Sequence, residues 1–187
     1  IRTGKKVAVV GGGNVAMDAA RSALRLGAES VYIVYRRGMA ELPARKEEVE
    51  HAVEEGIIFK TLSNPVEVLG DADGSVCGMR CVEMELGEPD ERGRRSPVPT
   101  GEMMDLVCDC VIMALGTSSN PLLVRSEPRL QTNPRGCLIV DEQQETTMKN
   151  VYAGGDAVSG AATVILALGA GKRAAASIIK ALTPNKA

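Results

Sequence analysis

The residues of this chain whose types and spacing could do chemistry begin at position 11. Gly11, Gly13 and Ala16 stand at G-x-G-x-x-A spacing within "VAVVGGGNVAMDAAR", directly after an apolar run and directly before a helical pattern. In that context each residue type has a physical reason to be there. Gly11 allows a sharp turn, Gly13 has no Cβ to obstruct a pyrophosphate, and Ala16 lets the helix approach the strand. The unpaired N–H groups and positive dipole end of the helix then face the phosphates, which makes Gly11, Gly12, Gly13, Asn14, Val15 and Ala16 a candidate dinucleotide site. Tight packing alone also uses glycines, but the flanking strand and helix favour binding. At the end of the next strand, where a carboxylate would accept both ribose hydroxyls of NAD, the chain carries Arg36 and Arg37. A guanidinium forks onto the 2′-phosphate of NADP, whereas a carboxylate repels it. The pair points to NADPH and away from S-adenosylmethionine; two solvated arginines are the plain alternative.

The elements that must hold these groups follow from the hydrophobic pattern. "KKVAVV" (5–10) reads as a buried parallel strand, and Asn14 to Leu26 as a helix with Val15, Ala19, Ala23 and Leu26 on one stripe, Asn14 at its cap and Gly27 at its end. "SVYIVY" (30–35) is a second strand. A second helix is expected from Pro43 to Glu55, with a Leu42, Val49, Val53 stripe, and "IIFKTL" gives a third strand. This βαβαβ order implies an α/β, Rossmann-like FAD/NAD(P)-binding fold with a doubly wound parallel sheet. The period then changes. Residues 66–86 read as a β-hairpin or meander around an Asp-Gly turn, inserted into the α/β pattern, and 87–102 as a loop by Gly, Pro and charge content. "CDCVIMALG" returns as a strand ending at Gly116, which joins the NADPH group. "TSSNP" is the expected domain boundary. Two short strands, "CLIV" and "VYAGG", and a last helix from Ala161 to Leu182 complete the chain.

Composition excludes several classes of function. The 22 Lys and Arg nearly balance 24 Asp and Glu, for a net charge of -2, so no global field recruits nucleic acid or acidic membrane. Aromatics at 2% with no Trp leave little for base stacking. The longest mostly apolar stretch is cut by Lys172 and Arg173, so no membrane helix is expected. The five cysteines, Cys77, Cys81, Cys108, Cys110 and Cys137, contain no CxxC pair, which suits thiols in a reducing cytoplasm and no metal or cluster site. His51, the single histidine, stands among Glu48, Glu50, Glu54 and Glu55 on a solvated helix face, so neither a hydrolytic triad nor a histidine metal site is expected. Arg92, Arg94 and Arg95 read as a mobile charged loop, with contact to a partner domain as the alternative. The first residues show no initiator Met and no signal-peptide pattern, and a piece upstream is expected.

With "VAVVGGGNVAMDAAR", "VYRRGMAELPARKEEVEHAVEEGI", "CDCVIMALGTSSNP" and "VYAGGDAVSGAATVILALGAGKRAAASI" in order, the chain resembles the small (beta) subunit family of NADPH-dependent glutamate synthase over essentially its whole length. It is similar too to that family's relatives, the flavin region of dihydropyrimidine dehydrogenase and the flavoprotein of ferredoxin-using transhydrogenases. Ser119 stands where those relatives commonly have Pro. The resemblance implies that residues 1–116 are an NADPH-binding domain. It implies that 117–187 are the closing segment of an FAD-binding domain whose first half, like the iron–sulfur ligands, lies in a missing amino-terminal part. It further implies that Asp156 in "AGGDA" bonds the ribityl chain of FAD, that Gly154 and Gly155 admit the backbone, and that Ala162, Thr163 and Val164 open a helix toward the flavin; a turn cap is the plain alternative for Asp156. The expected activity is an oxidoreductase passing hydride from NADPH to FAD and on to iron–sulfur clusters and a large catalytic subunit or electron-acceptor domain. No catalytic side chain is needed for the hydride step, and the chain by itself is expected to be an inactive fragment. A stand-alone NADP-binding regulatory module is the alternative.

Overall fold

A computed structural model describes residues 3–91 and 93–183, so Arg92 lies outside the described residues. The chain forms two compact units, Ile1–Leu115 and Gly116–Ala187.

In the first unit, strands β1 (Lys6–Val10), β2 (Ser30–Val34) and β3 (Ile58–Lys60) alternate with helices α1 (Asn14–Arg25) and α2 (Lys46–Glu54). After an antiparallel insertion, strand β7 (Cys110–Met113) returns, and the four strands lie in the order β3-β2-β1-β7, all parallel. Val7, Val9, Val31 and Ile33 face the helices in one buried cluster, with Ala16, Met17, Ala20, Ala23 and Ala52 from α1 and α2. The expected α1 stripe is therefore displaced. Val15 and Leu26 are exposed and the buried face is mostly alanine, because small side chains are what let α1 lie close on the sheet. Helix α2 starts later than expected, at Lys46, since a short 3₁₀ turn at Met39–Glu41 and the extended Leu42 come first and leave Pro43 outside the helix. It buries only Ala52, with Val49 and Leu42 half-buried and Val53 exposed. It is held to α1 by Arg21, which donates to Glu48 and Glu55 at 2.9 Å each.

The insertion is a three-stranded antiparallel sheet in the order β4 (Ser63–Gly70), β5 (Val76–Pro89), β6 (Arg95–Leu106). Its first turn is the expected Asp-Gly turn, in which Asp71 Oδ1 accepts from the N–H groups of Asp73 and Ser75 and Gly74 takes a positive φ of 77°. The expected loop at 87–102 is largely strand. Pro97 and Pro99 sit opposite Leu86 and Met84 on β6, an edge strand, where a missing N–H leaves no central ladder broken. Met79, Cys81, Leu106 and Cys108 pack with Ala8, Val10 and Val34 in a second buried cluster.

The second unit holds α3 (Leu122–Ser126), α4 (Asp156–Ser159) and α5 (Val164–Leu182). Where two short strands were expected, the chain forms only single antiparallel bridges, Thr132 with Leu138, Val140 with Thr146 and Glu145 with Tyr152. The cause is local: Asn133 and Asp141 turn their side-chain oxygens onto backbone N–H groups two and four residues on, so tight turns take up chain that a ladder would use. Helix α5 starts at Val164 rather than at Ala161, with Thr163 as its cap. Among the described residues no helix is long and apolar enough to cross a membrane.

Candidate functional site

Strand β1 runs into three glycines that serve different ends. Gly11 has a φ of 140° and donates its N–H to Val34 O at 3.0 Å, and a side chain there would run into the carbonyl oxygen of Ala114. At Gly12 a Cβ would meet the Tyr35 ring at 2.8 Å and Leu42 at 2.9 Å. At Gly13 it would meet nothing within 4 Å, so this face of the turn is open. Ala16 is fully buried against the sheet and Val15 is exposed.

Helix α1 begins without a side-chain cap and without an acid in its first turn. The expectation that Asn14 caps it is corrected: Gly13 holds the cap position, Asn14 is already helical, and its Oδ1 accepts from Arg45 N at 2.9 Å instead. The amino end of α1 thus presents backbone N–H groups to the open space over Gly13, the arrangement that binds an anion.

Arg36 and Arg37 follow β2 by two and three residues. Arg36 is exposed, and Arg37 is half-buried, with its Nε shielded from solvent and no hydrogen-bond partner. Among the described residues neither guanidinium forms an ion pair, unlike Arg21, Arg25, Arg45 and Arg80. The Arg37 carbonyl accepts from Leu62 N at 2.9 Å, and Tyr35 OH donates to Glu41 O at 2.8 Å, which fixes the backbone that carries the pair. Two unpaired guanidiniums on a fixed backbone are free to take an external phosphate.

In the second unit a cleft of about 720 Å³ is lined by Gly116–Asn120, Arg135–Leu138, Asp156, Ala157 and Ser159–Ala161, with Leu123 and Val124 of α3. Gly116, expected with the NADPH group, is the first residue of this unit and lines the cleft with Asp156. Asp156 is exposed and opens α4; Gly155, with φ 68°, holds the cap position, so the carboxylate is not spent as a cap. Gly154 is needed for packing, since a Cβ would lie 3.0–3.2 Å from Ala170 of α5. Ala162, Thr163 and Val164 are exposed at the start of α5 and stand outside the cleft lining, and Thr163 Oγ1 accepts from Leu166 N at 3.4 Å. The cleft adds Arg135, which sequence reasoning did not single out, and Ser118, Asn120 and Cys137, which it read only as a domain boundary and a plain thiol; the Asn-Pro-Arg-Gly turn at 133–136 was the available signal for Arg135.

The cysteines are all free: Cys77 is exposed, Cys110 half-buried and the others buried. Burial, with Asp109 nearby, pushes the Cys108 thiol up to about 11, and burial with Asp105 nearby raises that of Cys81, so both are held as neutral thiols. Among the described residues no three His, Cys, Asp or Glu side chains converge as a metal site. His51 is exposed on α2.

The family described as pyridine nucleotide-disulphide oxidoreductase matches residues 2–175. The NADP(+)-dependent formate dehydrogenase subunit beta of Moorella thermoacetica is 49% identical over 177 residues, which are 94% of this chain and 25% of that protein. The glutamate synthase (NADPH) small chain of Escherichia coli (strain K12) is 35% identical over 181 residues, 94% of this chain and 38% of that one. Among solved structures, T. acidophilum thioredoxin reductase superposes with a TM-score of 0.74 at 25% identity, over 95% of this chain and 52% of that chain. The chain thus spans 25–38% of the length of these two curated relatives. The likeness to glutamate synthase small chains that the four motifs carry is present in these alignments. The match over residues 2–175, on a parallel sheet with an open glycine-rich turn, means that the chain belongs to the pyridine nucleotide-disulphide oxidoreductase family.

Proposed function

We propose that residues 1–116 bind NADPH and that 117–187 are the closing segment of an FAD-binding domain, in an oxidoreductase that passes hydride from NADPH to FAD. The observation that carries this reading is the uncapped amino end of α1 over the open Gly13, with the unpaired Arg36 and Arg37 on the same unit. The first receives a pyrophosphate through backbone N–H groups, and the second supplies charge for a 2′-phosphate. In the second unit the residues fit a flavin nucleotide by one observation: Asp156 is an exposed carboxylate, without a hydrogen bond among the described residues, on the wall of a cleft of about 720 Å³. There it would accept from a sugar hydroxyl, while Arg135 brings a positive charge to the same wall. When bound, the flavin supplies the two-electron chemistry, and the protein's part is to bind and orient. Onward transfer to iron–sulfur clusters and to a partner subunit is part of the proposal. Its support is that relatives are subunits of formate dehydrogenase and NADPH-Fe(3+) oxidoreductase.

Titration calorimetry with NADPH and NADH tests the reading. NADPH should bind more tightly, with a gap that narrows as salt rises. Replacing both Arg36 and Arg37 by Ala should remove most of that gap, a loss of about 1.5–3 kcal/mol or roughly ten- to a hundredfold in affinity, and leave NADH nearly unchanged. Equal binding of the two nucleotides by the unaltered chain would overturn the assignment to NADPH.

A further inference from the structure

Asn14 joins the glycine-rich turn to a distant segment. Its Oδ1 accepts from Arg45 N at 2.9 Å, and beside it Gly12 O accepts from Ala44 N at 3.1 Å. The segment that ends in these two bonds begins with Arg36 and Arg37. At its start Ser63 N donates to Tyr35 O at 3.0 Å and Leu62 N to Arg37 O at 2.9 Å, and in its middle Leu42 packs against Gly12. The stretch from 36 to 45 is thus a strap fastened at both ends. On the side of the turn one fastening comes from a backbone carbonyl and the other from a side chain that can be replaced.

We propose that Asn14 is a positioning residue for cofactor discrimination. By holding the Arg45 N–H it keeps the far end of the strap against the turn, and so supports the placement that the bonds at Tyr35 and Arg37 give the two arginines at its near end. This rests on the reading of turn and arginines as an NADPH site. A bound dinucleotide has a set span between its pyrophosphate and its 2′-phosphate, and a charge-assisted hydrogen bond weakens steeply with misplacement. Contacts from the α1 backbone to the pyrophosphate do not depend on the strap, so loosening it acts on the phosphate-bearing nucleotide and spares NADH.

The test compares Asn14→Ala and Asn14→Asp in the full chain, by hydrogen exchange at the Arg45 amide and by calorimetry with NADPH and NADH, with thermal melts to establish that each variant is folded. Aspartate keeps an oxygen for the Arg45 N–H and adds a negative charge near the pyrophosphate. In Asn14→Ala the Arg45 amide should exchange freely and NADPH should weaken about two- to tenfold more than NADH. In Asn14→Asp the amide should stay protected and both nucleotides should weaken by one factor, preserving their ratio. If Asn14→Ala weakens both alike, or leaves both unchanged, the positioning role is overturned while the NADPH reading stands. If Asn14→Asp shifts the ratio as far as Asn14→Ala despite a protected amide, the role is likewise overturned. If the unaltered chain prefers neither nucleotide, the NADPH reading falls and this inference falls with it.

Discussion

Gly11 and Gly13 are two residues apart, yet their substitution should give opposite phenotypes. Gly11 combines a φ of 140° with a carbonyl oxygen in the place of a side chain, so Gly11→Ala should cost more than about 2 kcal/mol of stability. Gly13 has a φ of -88° and open space, so Gly13→Ala should change stability by less than about 1 kcal/mol. The added methyl would stand where a pyrophosphate approaches and should weaken NADPH and NADH together by roughly tenfold or more. Thermal melts and calorimetry separate the two effects, and nucleotide binding by Gly13→Ala equal to that of the unaltered chain would show that no phosphate approaches this face. The roles of Gly11 and Ala16 were legible in the sequence because they depend on neighbours in the chain. The use of Asn14 was not, because its partner lies 31 positions away. Asn14 by type is a cap, and only the tertiary fold brings Arg45 N within its reach.

Strand β7 is set beside β1 by a carboxylate. Asp109 accepts from Lys5 N and Lys6 N at 2.9 Å each, which clips the start of one strand to the end of the loop leading into the other. Burial pushes this carboxyl up, and the N–H groups of Lys5 and Lys6 outweigh it, leaving it below the ordinary carboxylate value of 3.8. A folded pKa below the unfolded one means stability present above about pH 4 and lost as pH falls toward the folded value. Asp109→Asn should therefore destabilise by about 1 kcal/mol at neutral pH, allowing for solvent screening, and the difference from the unaltered chain should shrink on acidification to about pH 3. Urea unfolding at the two pH values checks the sign. The central strands were legible here as apolar runs and the β4–β5 turn as Asp-Gly. Strand β6 was not, because Gly, Pro and charge mark an edge strand and a loop alike; Pro97 and Pro99 are tolerated opposite β5 because, among the described residues, their strand has no neighbour on its other side. The core-facing side of α1 was misread for a related reason, since alanine carries little weight in a hydrophobic pattern but packs closest to a sheet.

Helix α5 buries only Ala170 and Ala174, while Val164, Ile165, Leu166, Leu168, Ile179 and Leu182 are exposed. Apolar surface on that scale makes the isolated chain prone to association. Since Asp156 and its cleft share this unit, the chain by itself should purify colourless, take up added FAD weakly and tend to associate. Absorbance after purification and light scattering read these outcomes, and stoichiometric flavin in the purified chain would contradict them. The resemblance drew attention to "GGDA" and the helix after it, and Asp156 does line the cleft, whereas the Arg135 and Ser118 side is built from turns whose side chains meet only in three dimensions. On the first unit, the packing of Tyr35 against Gly12 has an optical consequence. The chain has three tyrosines and no tryptophan, so phenol emission is not drained to an indole. One of those phenols forms the floor of the glycine-rich turn, with its hydroxyl tied to Glu41 O. The turn carries its own fluorophore, and the proposed binding of nucleotide there would be read from the emission of the unlabelled protein.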